Sequence, residues 1–128
     1  MSRPTIAVVG ASADRRKFGN KCVRAYAAVG YDVYPVNPNT AEVEGHRAYA
    51  TLADVPVERL DRVSVYLRPE VCLGVLPELA KKPAGEVWFN PGADHPEVLE
   101  KARALGLNVV AACSIVDVGV NPYQLPTT

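Results

Sequence analysis

The chain has 128 residues, 48% of them hydrophobic and 22% charged, with 14 Lys and Arg balanced by 14 Asp and Glu. That length suits a single domain with a sizeable core, and the even charge excludes a general nucleic-acid or anionic-membrane surface, so an anion has to be held by local geometry. No apolar run approaches the roughly 18 residues of a membrane span, no signal-peptide pattern opens the chain, and its three cysteines lack the spacing of a disulfide framework or zinc site.

The first apolar, β-branched run is Thr5–Gly10 (TIAVVG), and a helix is expected from about Gly19 to Val29, stopped by Gly30. Tyr31–Asn37 (YDVYPVN) is the second strand. Its Pro35 lacks a ladder donor and belongs near the strand's end or on a sheet edge. Pro38–Ala50 carries turn chemistry and is expected as a loop, followed by a short helical turn over Thr51–Val55 capped by Thr51. Asp61–Leu67 is the third strand and Pro69–Ala80 the next helix, with Pro69 in its first turn. Glu86–Asn90 is the fourth strand. His95–Leu105 is a helix capped by Asp94 and ending at Gly106, and Leu107–Cys113 is the fifth strand. Ser114–Thr128, with Pro122 and Pro126, is expected as an irregular surface tail.

Strands alternating with helices imply right-handed βαβ units and a parallel sheet covered on both faces. The expectation is one α/β domain over residues 1–128: a three-layer, Rossmann-like open sheet of about five strands, ordered 3-2-1-4-5, with helices on both faces. Ligands of such sheets sit beyond the carboxyl ends of the strands. Here those ends carry Gly10-Ala11-Ser12, Asn37-Pro38, Arg68-Pro69, Asn90-Pro91-Gly92 and Cys113.

The stretch VVGASADRRKFGNK holds a phosphate-type turn. Gly10 leaves the strand tightly, Ala11 and Ser12 keep the main chain accessible, and a helix N-terminus stands behind them. Ser12 adds a hydroxyl, Lys17 a mobile cation, and Gly19 lets the helix approach a bound group. A solvated loop is the plainer reading of Arg15, Arg16 and Lys17, and their place after the first strand argues against it. NAD fits poorly: its fingerprint has three glycines and an acid about 20 residues on, whereas the second strand ends in Val36-Asn37-Pro38. NADP would tolerate the missing acid. A Walker A loop is excluded by the absence of G-x-x-x-x-G-K-[ST].

The ordered set VVGASADRRKFGNK, GYDVYPVNP, VYLRPE and VWFNPGA resembles the CoA-binding domain family, which includes small stand-alone proteins and the first domain of the succinyl-CoA synthetase α subunit. The resemblance runs from about Thr5 to Cys113. It implies that Gly10, Ala11 and Ser12 hold the CoA phosphates, with Lys17 adding charge and Gly19 completing the K-x-G pattern. It further implies that Val36, Asn37 and Pro38 lie beside the adenosine, that Arg68 and Pro69 lie near the diphosphate or the pantetheine arm, and that Gly92 lines the path of that arm. Asn90 joins this set at the fourth-strand turn, although the family pattern has a glutamine two positions before the glycine. Ala111-Ala112 likewise stands where many relatives have Asp-Arg before the cysteine. A ribose 3′-phosphate agrees with a strand end that carries no carboxylate.

No catalytic constellation is visible. His46 and His95 are expected at the surface, Cys22 and Cys72 in the core, and Trp88 and Phe89 as packing. Cys113 is either a small buried residue or a thiol able to form a mixed disulfide with bound CoA. The expected function is non-catalytic binding of coenzyme A or an acyl-CoA in the cytoplasm, with no metal, nucleic acid or membrane partner. The alternatives are an NADP- or NAD-binding regulatory module and an interaction subunit of a larger acyl-CoA enzyme. A homo-oligomer or protein partner stays open.

Overall fold

The computed structural model describes residues 3–128. The first strand, β1 (Thr5–Val9), alternates its side chains between two apolar layers: Ile6 and Val8 enter one, Ala7 and Val9 the other. Both layers are buried, as a strand apolar on both faces requires. Helix α1 (Phe18–Ala28) buries Cys22, Val23, Ala25 and Tyr26. It ends where Gly30 takes φ +95°, letting Gly30 N–H donate to Ala27 and Tyr31 N–H to Tyr26.

The strands β2 (Asp32–Val36), β5 (Leu60–Val65), β6 (Ala84–Phe89) and β7 (Val109–Val110) complete a five-stranded, fully parallel sheet ordered β2-β1-β5-β6-β7. A two-stranded hairpin, β3 (Glu42–Val43) and β4 (His46–Arg47), interrupts the expected Pro38–Ala50 loop. Helices α2 (Pro69–Lys81) and α3 (Pro96–Ala104) pack together on one face, and α1 packs with α4 (Ser114–Asp117) on the other. The open parallel α/β sheet with helices on both faces is as expected.

The strand order is not. The third long strand pairs with β1, not with β2, so the order over the five sheet strands is 2-1-3-4-5 instead of 3-2-1-4-5. Pro35 supplies the reason. Its carbonyl accepts from Tyr49 N–H at 2.9 Å, so this residue faces away from β1, and its missing N–H falls on the outer edge of β2. A full strand there would lack a ladder donor, and only an isolated bridge between Val36 and Tyr49 forms.

The tail is also corrected. Ser114–Asp117 form α4, with Ser114 and Ile115 fully buried, and a 3₁₀ turn follows at Pro122–Gln124. Ile115 joins the apolar layer of α1, whereas the prolines of this segment pointed to an irregular surface tail. The fifth strand is shorter than expected because Cys113 already serves as the N-cap of α4. At α3 the cap is His95, whose Nδ1 accepts from Glu97 N–H, while the Asp94 carboxylate accepts from Gly92 N–H. Thr51 donates its hydroxyl to Asp54 in the 3₁₀ turn Leu52–Asp54, where it was expected to accept as a cap. No helix among the described residues is long and apolar enough to cross a membrane.

Candidate functional site

A cleft of about 400 Å³ opens at the carboxyl ends of β1, β5 and β6, where the chain leaves β1 and β5 toward opposite faces of the sheet. It brings together Gly10, Ala11, Ser12, Lys17, Gly19, Asn37, Arg68 and Gly92, eight of the residues singled out from sequence, and adds Phe18, Tyr66, Leu67, Pro91 and Ala93. On the other side of Gly10 lies a second cleft of about 370 Å³, lined by Val36, Asn37, Pro38, Leu52, Leu67, Val71 and Val75 among others. Pro69 lines neither of these; it is the first residue of α2.

Close packing makes the turn. Gly10 sits at φ +89°, and a Cβ there would collide with the Tyr66 carbonyl. A Cβ on Gly19 would strike the Gly10 carbonyl, so two glycines let the turn and the start of α1 touch main chain to main chain. Gly10 N–H is spent on the Val36 carbonyl at 3.1 Å. Beyond it, two asparagines tie the carbonyls back: Asn37 Nδ2 donates to Ala11 O at 2.7 Å, and Asn20 Nδ2 to Ser12 O at 2.9 Å. With these oxygens anchored behind the turn, the amides of Ala11 and Ser12, and those of Phe18 and Gly19 in the first turn of α1, donate to no protein acceptor among the described residues. Ser12 Oγ accepts from Asp14 N–H at 3.0 Å, which leaves its hydroxyl proton to give. The product is a concentration of main-chain donors at the positive end of a helix, suited to an anion.

The cationic triplet divides sharply. Arg16 forms a two-pronged pair with Asp14 at 2.9 and 3.0 Å, and that guanidinium lowers the Asp14 carboxyl to about 2. Arg15 lies 3.5 Å from Glu44 and donates to the Thr128 carbonyl at 2.6 Å. Glu44 reaches it from the turn of the hairpin, at φ +50°, and accepts from Asn20 at 3.1 Å. Neither arginine lines the cleft; Lys17 does, and it makes no ion pair among the described residues. Arg68 rims the cleft with a largely exposed side chain 3.3 Å from Glu70.

Asn90 is different from what its strand-end position suggests. It is 1% exposed; its Nδ2 donates to Ser64 Oγ at 2.8 Å and Val65 O at 3.0 Å, and its Oδ1 accepts from Ser114 N–H at 2.8 Å. These hydrogen bonds fasten α4 to the sheet, and Asn90 lines the third cavity described below instead of the main cleft. Sequence reasoning missed Asn20, whose only signal was a polar residue on the buried face of a helix, and Tyr66, one residue past a strand end. Cys113, partly exposed, lines a third cavity of about 250 Å³ that shares Phe18, Tyr66 and Pro91 with the main cleft. Among the described residues no group of three or more His, Cys, Asp or Glu could hold a metal ion.

Comparison with known proteins agrees with this architecture. An uncharacterised Bacillus subtilis protein, YneT, is 30% identical over 105 residues, spanning 82% of this chain and 77% of that one. A solved structure from Thermus thermophilus is 34% identical with a TM-score of 0.82, over 90% of this chain and 87% of that one. The dinucleotide-forming acetyl-coenzyme A synthetase 1 of Ca. Korarchaeum cryptofilum is 28% identical with a TM-score of 0.70, over 84% of this chain but only 26% of the enzyme. A family profile described as CoA binding domain matches residues 4–119, and the chain belongs to that family.

Proposed function

We propose that this chain binds coenzyme A or an acyl-CoA without catalysing a reaction on its own. The diphosphate rests on the amides of Ala11, Ser12, Phe18 and Gly19, with the Ser12 hydroxyl and the Lys17 ammonium closing on it. The adenosine lies in the cleft beside Val36, Asn37 and Pro38, whose largely apolar walls suit a base. The pantetheine arm runs past Arg68 and Gly92.

One observation carries the reading: two asparagines tie the turn's carbonyls while its amides stay without protein acceptors beside a cleft lined by Lys17, which makes no ion pair among the described residues. That arrangement suits an anion such as a phosphate. Asn37, in the place where an NAD site has its carboxylate, spends its amide bracing the turn and leaves no group to repel a ribose phosphate. A second reading, that the chain serves as the CoA-binding part of a larger acyl-CoA enzyme assembled from other chains, is favoured by its match to a quarter of an acetyl-coenzyme A synthetase.

Titration calorimetry with CoA, 3′-dephospho-CoA, NADP and NAD tests the first reading. CoA should bind tightest and dephospho-CoA more weakly, with NAD weakest. Tighter binding of NADP or NAD than of CoA would overturn it.

A further inference from the structure

We infer that the third cavity, roofed by the C-terminal segment, is a chamber for the acyl group of a short-chain acyl-CoA thioester. This rests on the CoA reading of the adjoining cleft and adds a substrate class to it. The chamber adjoins that cleft, and the side chains of Phe18, Tyr66 and Pro91 line both. An arm whose phosphates sit on the Gly10–Ser12 turn therefore delivers its sulfur end here. Cys113, Val116, Pro122 and Tyr123 form the remaining wall, all from the segment that follows β7.

The chamber is poor in hydrogen-bonding capacity. Asn90, which backs it, is satisfied by Ser64, Val65 and Ser114, and the Tyr66 hydroxyl lies 3.3 Å from Ser114 Oγ. The two amides of a pantetheine arm would lose their water partners inside it, which is costly, whereas an alkyl chain loses nothing. So the arm's amides stay in the open cleft and the apolar end of the thioester enters. The outer wall is a built one: the Phe18 and Tyr123 rings meet edge to face at 6.0 Å, and the Lys21 ammonium lies 4.9 Å from the Phe18 centroid and 5.9 Å from that of Tyr123. A volume of about 250 Å³ is the liquid volume of roughly eight waters. A chain of about four to six carbons fills that space, and a long fatty chain does not.

Calorimetry on the full chain with CoA and with acetyl-, butyryl-, hexanoyl- and palmitoyl-CoA tests this. Each methylene that enters should tighten binding about fourfold, the equivalent of about 0.8 kcal/mol, so butyryl-CoA should bind about fifteenfold tighter than acetyl-CoA. The gain should stop once the chamber is full, leaving palmitoyl-CoA no better than hexanoyl-CoA. Tyr123→Ala, at a side chain 82% exposed and outside the main cleft, should flatten the chain-length series and leave CoA affinity unchanged. Alkylation supplies a second readout: Cys22 and Cys72 are buried, so iodoacetamide reports Cys113, and butyryl-CoA should slow its labelling more than CoA does. If CoA binds but chain length changes neither affinity nor labelling, the chamber assignment is wrong and the CoA reading stands. If CoA itself does not bind, both fall together.

Discussion

Lys17 shows how neighbours decide the role of a charged residue. Three consecutive cations follow the glycine turn, yet Asp14 occupies one and Glu44 with the Thr128 carbonyl the next. Only the third is left facing the cleft. Lys17→Ala should lower CoA affinity by about 1.5–3 kcal/mol, the range for a hydrogen bond to a charged group, with an apo melting temperature close to that of the parent chain. Calorimetry and a thermal melt check both halves; an unchanged affinity would return Lys17 to the solvated loop. Glu44 illustrates the complementary case. It adopts φ +50°, which a residue with a Cβ rarely takes, and its carboxylate meets Asn20 and Arg15, contacts that hold the hairpin against the glycine turn.

At the scale of elements, the fastening of α4 is the least expected feature. This helix has four residues, too few to persist by its own propensity, and it stays because side chains from the sheet and from α1 satisfy it. Asn90 accepts from Ser114 N–H, Ser64 and Ser114 share a hydrogen bond of 2.7 Å, and the Tyr26 hydroxyl donates to Ser114 O at 2.8 Å. Arg62 continues the chain outward, donating to Tyr26 at 3.0 Å and pairing with Asp117 at 2.7 Å and Glu86 at 3.1 Å. Asn90→Ala strips buried donors and acceptors of their partners, and a destabilisation of about 3 kcal/mol in urea unfolding is expected. A cost under 1 kcal/mol would mean that α4 docks by apolar contact alone. In the sequence this network is invisible, because Ser64 alternates with valines in a strand and Ser114 begins what reads as an irregular, proline-containing tail.

For the molecule as a whole, two apolar layers flank one sheet, and both carry buried acids of high ordinary pKa. Burial pushes the Cys22 thiol up to about 11, with Ser64, Tyr66 and Ser114 opposing it, and the Tyr26 hydroxyl up to about 12. Burial also raises Cys72 to about 11. In each case the folded state holds its proton more firmly than the unfolded chain does. The associated stability is therefore complete below about pH 9 and is lost as pH rises through 11 to 12. Urea midpoints measured across that window should fall steadily, and Cys22→Ala should make the decline shallower. A midpoint that is flat to pH 12 would contradict burial as the cause.

Most strand and helix positions, the parallel sheet covered on both faces and the tight glycine turn after β1 were legible in the chain itself, because each depends on residues adjacent in sequence: a β-branched run, a glycine able to take φ +89°, a helix just behind it. Pro35 pointed to a strand end or a sheet edge, and in the fold it lies at both. What only the tertiary structure decided was pairing between distant segments. The order of strands followed from which side of β2 Pro35 faces. Within the cationic triplet, Arg15 was drawn off by Glu44 reaching back from the hairpin and Arg16 by Asp14, and Lys17 makes no ion pair among the described residues. Asn37 and Asn20 became braces of the turn, and Asn90 an anchor for α4, because of the carbonyls and amides that folding set beside them. Hydrogen-bonding capacity is a property of a residue, but whether it is spent inward or left for a ligand is set by neighbours that the linear chain does not reveal.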